Sequence, residues 1–344
     1  MLAVPVHAYQ FEWENIVELN GLRVPAHFDC NNLGRNRTAL GIPASDVTWT
    51  RFHDYYSSVP SRWLVCERHE AQIKAGMPIV VPERPLLDEE YAEHVAVLQS
   101  VLRARRGSTF TMSEVGARWG PWGARAAAFA RVVRPDLRHS LHFVEPDPRS
   151  CDGIRIVAQL NQLDSSIDCG YARAAAWTRW AERQEFIDLV DIDIQGHEQT
   201  FVRAIAHVLR QKVARVIVGT HGTMGNEAKA PRNATGEALD RNYKMRFAHE
   251  QVKAVLADWI LLSELVPVNH YRCIVRHMRG NKLYTADRFD WAAMKAKGCY
   301  HSTPLGPVAA WDGELIFDNP RFVNRSRALS LADTELRIDD LQPF

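Results

Sequence analysis

The run Glu114-Val115-Gly116-Ala117-Arg118-Trp119-Gly120 constrains the fold most, because it lies between a strand-like Thr109-Phe110-Thr111-Met112 and a helix-like Ala124-Arg125-Ala126-Ala127-Ala128-Phe129-Ala130. A strand that becomes a helix within so few residues needs glycine where the backbone takes positive φ or lies against a ligand. Gly116, Gly120 and Gly123 supply those positions. One strand further on, Leu141-His142-Phe143-Val144 leads into Glu145-Pro146. In an open α/β sheet ligands bind outside the carboxyl ends of the strands, and a carboxylate there can accept both hydrogen bonds of a ribose diol.

The spacing is acid-x-Gly-x-x-x-Gly, whereas the dinucleotide fingerprint is Gly-x-Gly-x-x-Gly, and this difference favours S-adenosylmethionine over NAD. Glu145 suits either ribose. An NAD-dependent oxidoreductase and a non-catalytic nucleotide-binding module therefore remain as alternatives.

At 344 residues, with 46% hydrophobic and 24% charged residues, the chain has apolar material for a full α/β core and an added N-terminal module. A formal net charge of +1 gives no global field toward nucleic acid or anionic membrane. Cys30, Cys66, Cys151, Cys169, Cys273 and Cys299 form no CxxC pair, so they are expected to be reduced thiols. Residues 1–7 lack a basic, apolar secretory pattern, and the apolar stretch from Trp259 to Val268 is interrupted by Glu264. A cytoplasmic protein without a membrane partner is expected.

Two apolar runs flanking Asn20-Gly21 predict a hairpin over about 11–29, so that residues 1–87 form an α+β extension. A helix is expected from Asp88, with Tyr91, Val95, Leu98, Val101 and Leu102 on its packed face. From Thr109 strands alternate with helices: Thr109 to Met112, Leu141 to Val144, a weak strand near Ile167 to Ala175, Phe186 to Ile194, and Ala214 to Thr220. A helix near Phe247 to Trp259 precedes a sixth strand at Ile260 to Leu262, and Glu314 to Phe317 would complete a late antiparallel hairpin. The core is thus 88–344, with insertions at about 222–243 and 267–311 where binding loops are expected.

Together these segments resemble the FkbM-type branch of class I S-adenosylmethionine-dependent methyltransferases. Glu114 to Gly120 is similar to the family's first motif, and Val144 to Pro148 to its Glu-Pro-Asn-Pro. Leu189 to Glu198 is similar to its Leu-Ile-Lys-Ile-Asp-Val-Glu-Gly-x-Glu, and Arg215 to His221 to a fifth strand ending in histidine. Trp311 to Leu315 is compatible. The likeness covers about 107–266, with a weaker match at 307–323. Three positions depart from the pattern: Arg118 stands for Asn, Asp191 for Lys and Gln195 for Glu. The resemblance implies a Rossmann-like class I methyltransferase with a mostly parallel doubly wound sheet, and O-methylation of a hydroxyl on a sugar, polyketide or related small molecule.

The cofactor set expected for S-adenosylmethionine is Glu114, Gly116, Ala117, Arg118, Trp119, Gly120, Glu145, Pro146 and Asp193. His221, at the end of an apolar strand, is the expected general base, since imidazole titrates near neutrality. Asp193 would position or catalyse, with capping of the following helix as its plainer role. His197 and His270 are weaker candidates, and Glu198 reads as a dipole-favoured helix residue. Asp191, Asp193 and His221 could together hold magnesium, but no metal is assigned. The 222–310 stretch carries thirteen Lys or Arg against eight Asp or Glu, so Arg272, Arg276, Arg279 and Lys282 suit an anionic acceptor. No aromatic-basic ladder favours nucleic acid. Self-association is left open.

Overall fold

The structure is a computed structural model that describes residues 15–18, 20–25, 80–81, 91–105, 107–221, 241–265, 301–303, 306–308 and 313–323. The chain divides into two compact units, one holding a three-stranded sheet and the other a seven-stranded sheet. Asp88, residues 222–240, His270, Arg272, Arg276, Arg279, Lys282, Trp311 and Asp312 lie outside the described residues.

In the smaller sheet Asn15–Glu18 (β1) and Arg23–Pro25 (β2) form an antiparallel hairpin. Gly21 takes the left-handed φ of 81° that the turn needs, and Asn20 Oδ1 accepts from Leu22 N at 3.0 Å. Val80–Val81 (β3) adds parallel to β1.

The larger unit opens on helix Tyr91–Arg103 (α1). Its buried stripe is Ala96, Val97, Ser100 and Val101, while Leu102 is exposed, so the packed face is rotated from the expected one. Small Ala96 lets the helix approach closely, and the Ala96 carbonyl and Gln99 accept hydrogen bonds from Arg215. There follow Thr109–Val115 (β4), Pro121–Val133 (α2), Arg138–Glu145 (β5), Pro148–Asn161 (α3) and Ser165–Cys169 (β6). Ala174–Glu182 (α4), Ile187–Ile192 (β7), Glu198–Lys212 (α5), Val213–Thr220 (β8) and Arg241–Val255 (α6) come next. Ile260–Leu265 (β9), the small pair His301–Thr303 (β10) and Gly306–Val308 (β11), and Gly313–Asp318 (β12) complete it.

The sheet order is β6-β5-β4-β7-β8-β12-β9, parallel except for β12, which runs antiparallel to both neighbours. This is a Rossmann-like, doubly wound sheet with a late antiparallel strand. Alternation divides its side chains between two cores. Val115, Val144, Val190, Val216 and Leu315 pack with Trp177, Phe201 and Val252 of α4, α5 and α6. Phe110, Met112, Leu141, Leu189 and Ile316 pack with Val97, Ala126 and Ile154 of α1, α2 and α3.

The expected strand near Ile167 to Ala175 is corrected: β6 stops at Cys169 and α4 begins at Ala174. The Ala174-Ala175-Ala176-Trp177 run favours helix, and Trp177, Trp180 and Ala181 fall on one buried face. A second correction concerns the cysteines. Cys151 of α3 and Cys169 at the end of β6 are joined by a disulfide, so these two are not the reduced thiols expected. A cytoplasmic location, inferred partly from reduced thiols, loses that support. Among the described residues no helix is long and apolar enough to cross a membrane.

Candidate active site

At the end of β4 the chain reverses with Gly116 at φ 88°, Arg118 at φ 53° and Gly120 at φ 79°. The Gly116 and Ala117 N–H groups both donate to Val144 O, at 2.8 and 3.1 Å, which binds the turn to the end of β5. A Cβ on Gly116 would lie 1.8 Å from Asp193 O, so only glycine lets the ends of β4 and β7 meet. A Cβ on Gly120 would lie 2.9 Å from the Phe143 ring. Pro121 then starts α2, where a missing N–H costs nothing.

The expected cofactor residues distribute unevenly around this turn. Glu114 is buried, and its carboxyl accepts from Gly123 N at 2.8 Å and Trp122 N at 3.4 Å, capping the first turn of α2. Burial pushes this carboxyl up to about 8, partly offset by those two N–H groups and by Arg125. Ala117 and Trp119 are buried beneath the loop, and the Arg125 guanidinium stands 5.5 Å from the Trp119 ring. Glu145 accepts from Arg118 N at 2.7 Å and from Asp147 N at 2.9 Å, so it ties the glycine turn to the start of α3. Its pKa is raised, chiefly by burial. Two acceptor positions on that carboxylate remain for a ligand. Pro146 is exposed beside it.

Asp193 follows β7 on the same edge, anchored by Asp193 N donating to Val115 O at 2.8 Å. His221 follows β8 and is 3% exposed. Its Nδ1 lies 3.0 Å from Glu198 Oε1 and 3.3 Å from Asp193 Oδ1. Flanked by two carboxylates, Nδ1 is the ring nitrogen placed to donate a hydrogen, which leaves Nε2 as the position facing the other side of the site. Gln195 donates from its side-chain nitrogen to Asp193 Oδ1 at 2.9 Å and faces His221 Nε2 at 3.1 Å. Gly219 makes room for the group, since a Cβ there would stand 3.3 Å from both Asp193 Cγ and His221 Cε1.

Glu198 lies in the first turn of α5 as expected, but its contact with His221 was not legible in the sequence. It is fully buried, accepts from Gly196 N at 2.9 and 3.1 Å with its two oxygens, and meets the His221 imidazole. It, and not Asp193, accepts a backbone N–H at the entry to α5. The signal was the Gly196-His197-Glu198 order, which puts a carboxylate one residue inside a helix facing back toward its own entry. Asp191, which was open as a magnesium ligand with Asp193 and His221 although no metal is assigned, lies within the sheet next to Glu114 in register. Burial first, then the Glu114, Asp193 and Glu314 carboxylates, raise its pKa well above the ordinary value. A hard cation would therefore find Asp193, Glu198 and His221, whose ligand atoms lie within 4.8 Å of one another. The Nδ1–H already engaged with two carboxylates gives that cluster an internal hydrogen-bonded solution. His197, at the N-cap of α5, makes no side-chain cap.

No protein-family model matches the chain, and no curated protein matches its sequence. Among solved structures it is similar to an O-methyltransferase from Bacillus cereus in complex with SAH, at 13% identity over 79% of this chain and 98% of that one, TM-score 0.38. It is also similar to the O-methyltransferase TomG from Streptomyces achromogenes in complex with SAM, at 14% identity over 74% and 88%, TM-score 0.37. Aeropyrum pernix fibrillarin with natively bound S-adenosyl-L-methionine shares 11% identity over 65% and 74%, TM-score 0.32. Likeness of this degree carries no statement about activity or ligand.

Proposed function

We propose that this chain is an S-adenosylmethionine-dependent methyltransferase acting on a hydroxyl of a small molecule, a sugar or polyketide being the class the sequence resemblance implies. The observation that carries the reading is the shared edge: the left-handed glycine turn after β4, Glu145 after β5, Asp193 after β7 and the buried Glu198–His221 pair converge at the carboxyl ends of adjacent parallel strands. That is where an open α/β sheet takes a nucleoside and its reacting partner.

The residues fit the cofactor. The crowded contact at Gly116 removes the side chain where the loop backbone would border it, and Glu145 retains acceptor capacity for a ribose diol. Glu114 supports the loop from below through its cap on α2. Asp193, half-exposed, offers negative charge to a sulfonium. When bound, the cofactor supplies an already activated methyl group. The protein then has to orient the acceptor, exclude water and receive one proton. His221 Nε2 takes that proton from the hydroxyl. Glu198 keeps the opposite ring nitrogen protonated and stabilises the imidazolium that forms, so it is a positioning residue. No metal is required for this route.

Calorimetric titration tests the reading. S-adenosylmethionine is expected to bind with measurable heat while NAD does not, and a preference for NAD would transfer the site to the oxidoreductase alternative. Neither ligand binding would leave only a non-catalytic module.

A further inference from the structure

Gln195 lies in the turn between β7 and α5 with φ 57°, followed by Gly196 at φ 108°. A left-handed backbone is disfavoured for any residue carrying a Cβ, and such residues gather at working sites. The side chain is exposed, yet it does not range through solvent. Its carboxamide nitrogen is held by Asp193 Oδ1 at 2.9 Å and by His221 Nε2 at 3.1 Å. Ordering an exposed glutamine costs side-chain entropy, so the two contacts hold it against that loss. On the other side of the ring, Nδ1 is taken by Glu198 and Asp193. Nε2 is therefore the nitrogen through which the imidazole can accept a proton, and Gln195 stands on it.

We propose that Gln195 is the gate of the acceptor site: its carboxamide holds the place of the acceptor hydroxyl on His221 Nε2 and leaves when the acceptor binds. This rests on the reading of His221 as the base. An incoming group displaces the carboxamide only by giving a hydrogen to Nε2 as the carboxamide does. The gate thus selects hydroxyl-bearing molecules over ethers, esters and ketones of the same shape. The identity of the side chain follows from the same chemistry. An ionised glutamate at 195 has no hydrogen to give to either acceptor, and Asp193 would repel it.

Diethyl pyrocarbonate, which acylates histidine only through an available lone pair, tests the gate when the modification is read peptide by peptide by mass spectrometry. Gln195→Gly suits the left-handed turn and deletes the carboxamide, so the fold is retained and the thermal midpoint is not lowered. His221 is expected to react about two- to tenfold faster in Gln195→Gly than in the wild type, the range set by one lost neutral hydrogen bond. The buried His142 and His249 should be unchanged. Equal His221 rates in wild type and Gln195→Gly would overturn the proposal, and so would a rise shared by His142 and His249, which reports general loosening. The labelling needs no cofactor, so failure to bind S-adenosylmethionine would remove the methyltransferase reading and leave this result to be judged alone.

Discussion

At the scale of single residues the site depends on which ring nitrogen of His221 holds the hydrogen. In the proposed mechanism Glu198 decides it, from a fully buried position that a solvent-exposed carboxylate could not match in strength. Replacing His221 by Gln removes the proposed proton acceptor and should lower kcat about 10²- to 10⁴-fold in a methyl-transfer assay, with the cofactor still bound. Glu198→Gln leaves a neutral partner for Nδ1, so the imidazolium loses its counter-charge. Its kcat should fall, and its pH–rate profile should move toward lower pH than that of the wild type. A fall in kcat with an unmoved profile would assign Glu198 to helix capping alone. Glu198 also shows what residue-level reading misses. Its place near the start of a helix was legible, but its contact with a histidine in a different strand end was not.

At the scale of elements, the edge opposite the site is held by a buried ionic cluster. Arg215 of β8 and Asp318 of β12 face each other in register, with both side chains fully buried and Nε 2.7 Å from Oδ1. Arg103 of α1 adds a second guanidinium at 2.6 Å. The Arg215 pKa is lowered to about 10, first by burial, which the paired carboxylate only partly offsets. Asp318→Ala would leave Arg215 charged, buried and without its carboxylate partner, and should cost about 3–5 kcal/mol in urea denaturation. The same cluster explains why α1 turned from its expected face. A polar tie to the Ala96 carbonyl and Gln99 outweighed the placement of Leu102.

Stability of the whole molecule should depend on pH through two oppositely shifted buried groups. Glu114, held up to about 8 by burial, contributes stability that is complete below its ordinary 4.5 and is lost as pH rises through about 8. His142 is buried against Trp180, with ring centroids 4.2 Å apart, and bonded to the Ser113 hydroxyl at 3.1 Å. Burial first, then Arg183, lowers it to about 4. Its contribution is complete above its ordinary 6.5 and is lost as pH falls through about 4. The opposite slopes cancel between the ordinary values of 4.5 and 6.5, so the ligand-free protein should be most stable in that interval. Glu114→Gln keeps an acceptor for Gly123 N but cannot ionise, so its unfolding free energy should decline less than the wild type's between pH 7 and 9, by on the order of 1–2 kcal/mol. Urea titrations at both pH values measure this, and parallel declines in the two proteins would contradict it.

The sequence by itself determined the alternation of strands and helices, the glycine turn after β4 and the carboxylate after β5, because these depend on local periodicity and on backbone angles that few residues adopt. It also placed His221 and Asp193 at strand ends. Tertiary structure alone decided their company. Strand order brought the ends of β7 and β8 together and so assembled Asp193, Gln195, Glu198 and His221. It placed Asp191 deep in the sheet beside Glu114, where desolvation raises its pKa, and it joined Cys151 to Cys169 across a pair of elements. Such contacts depend on distances between segments far apart in the chain, and no local pattern encodes those distances.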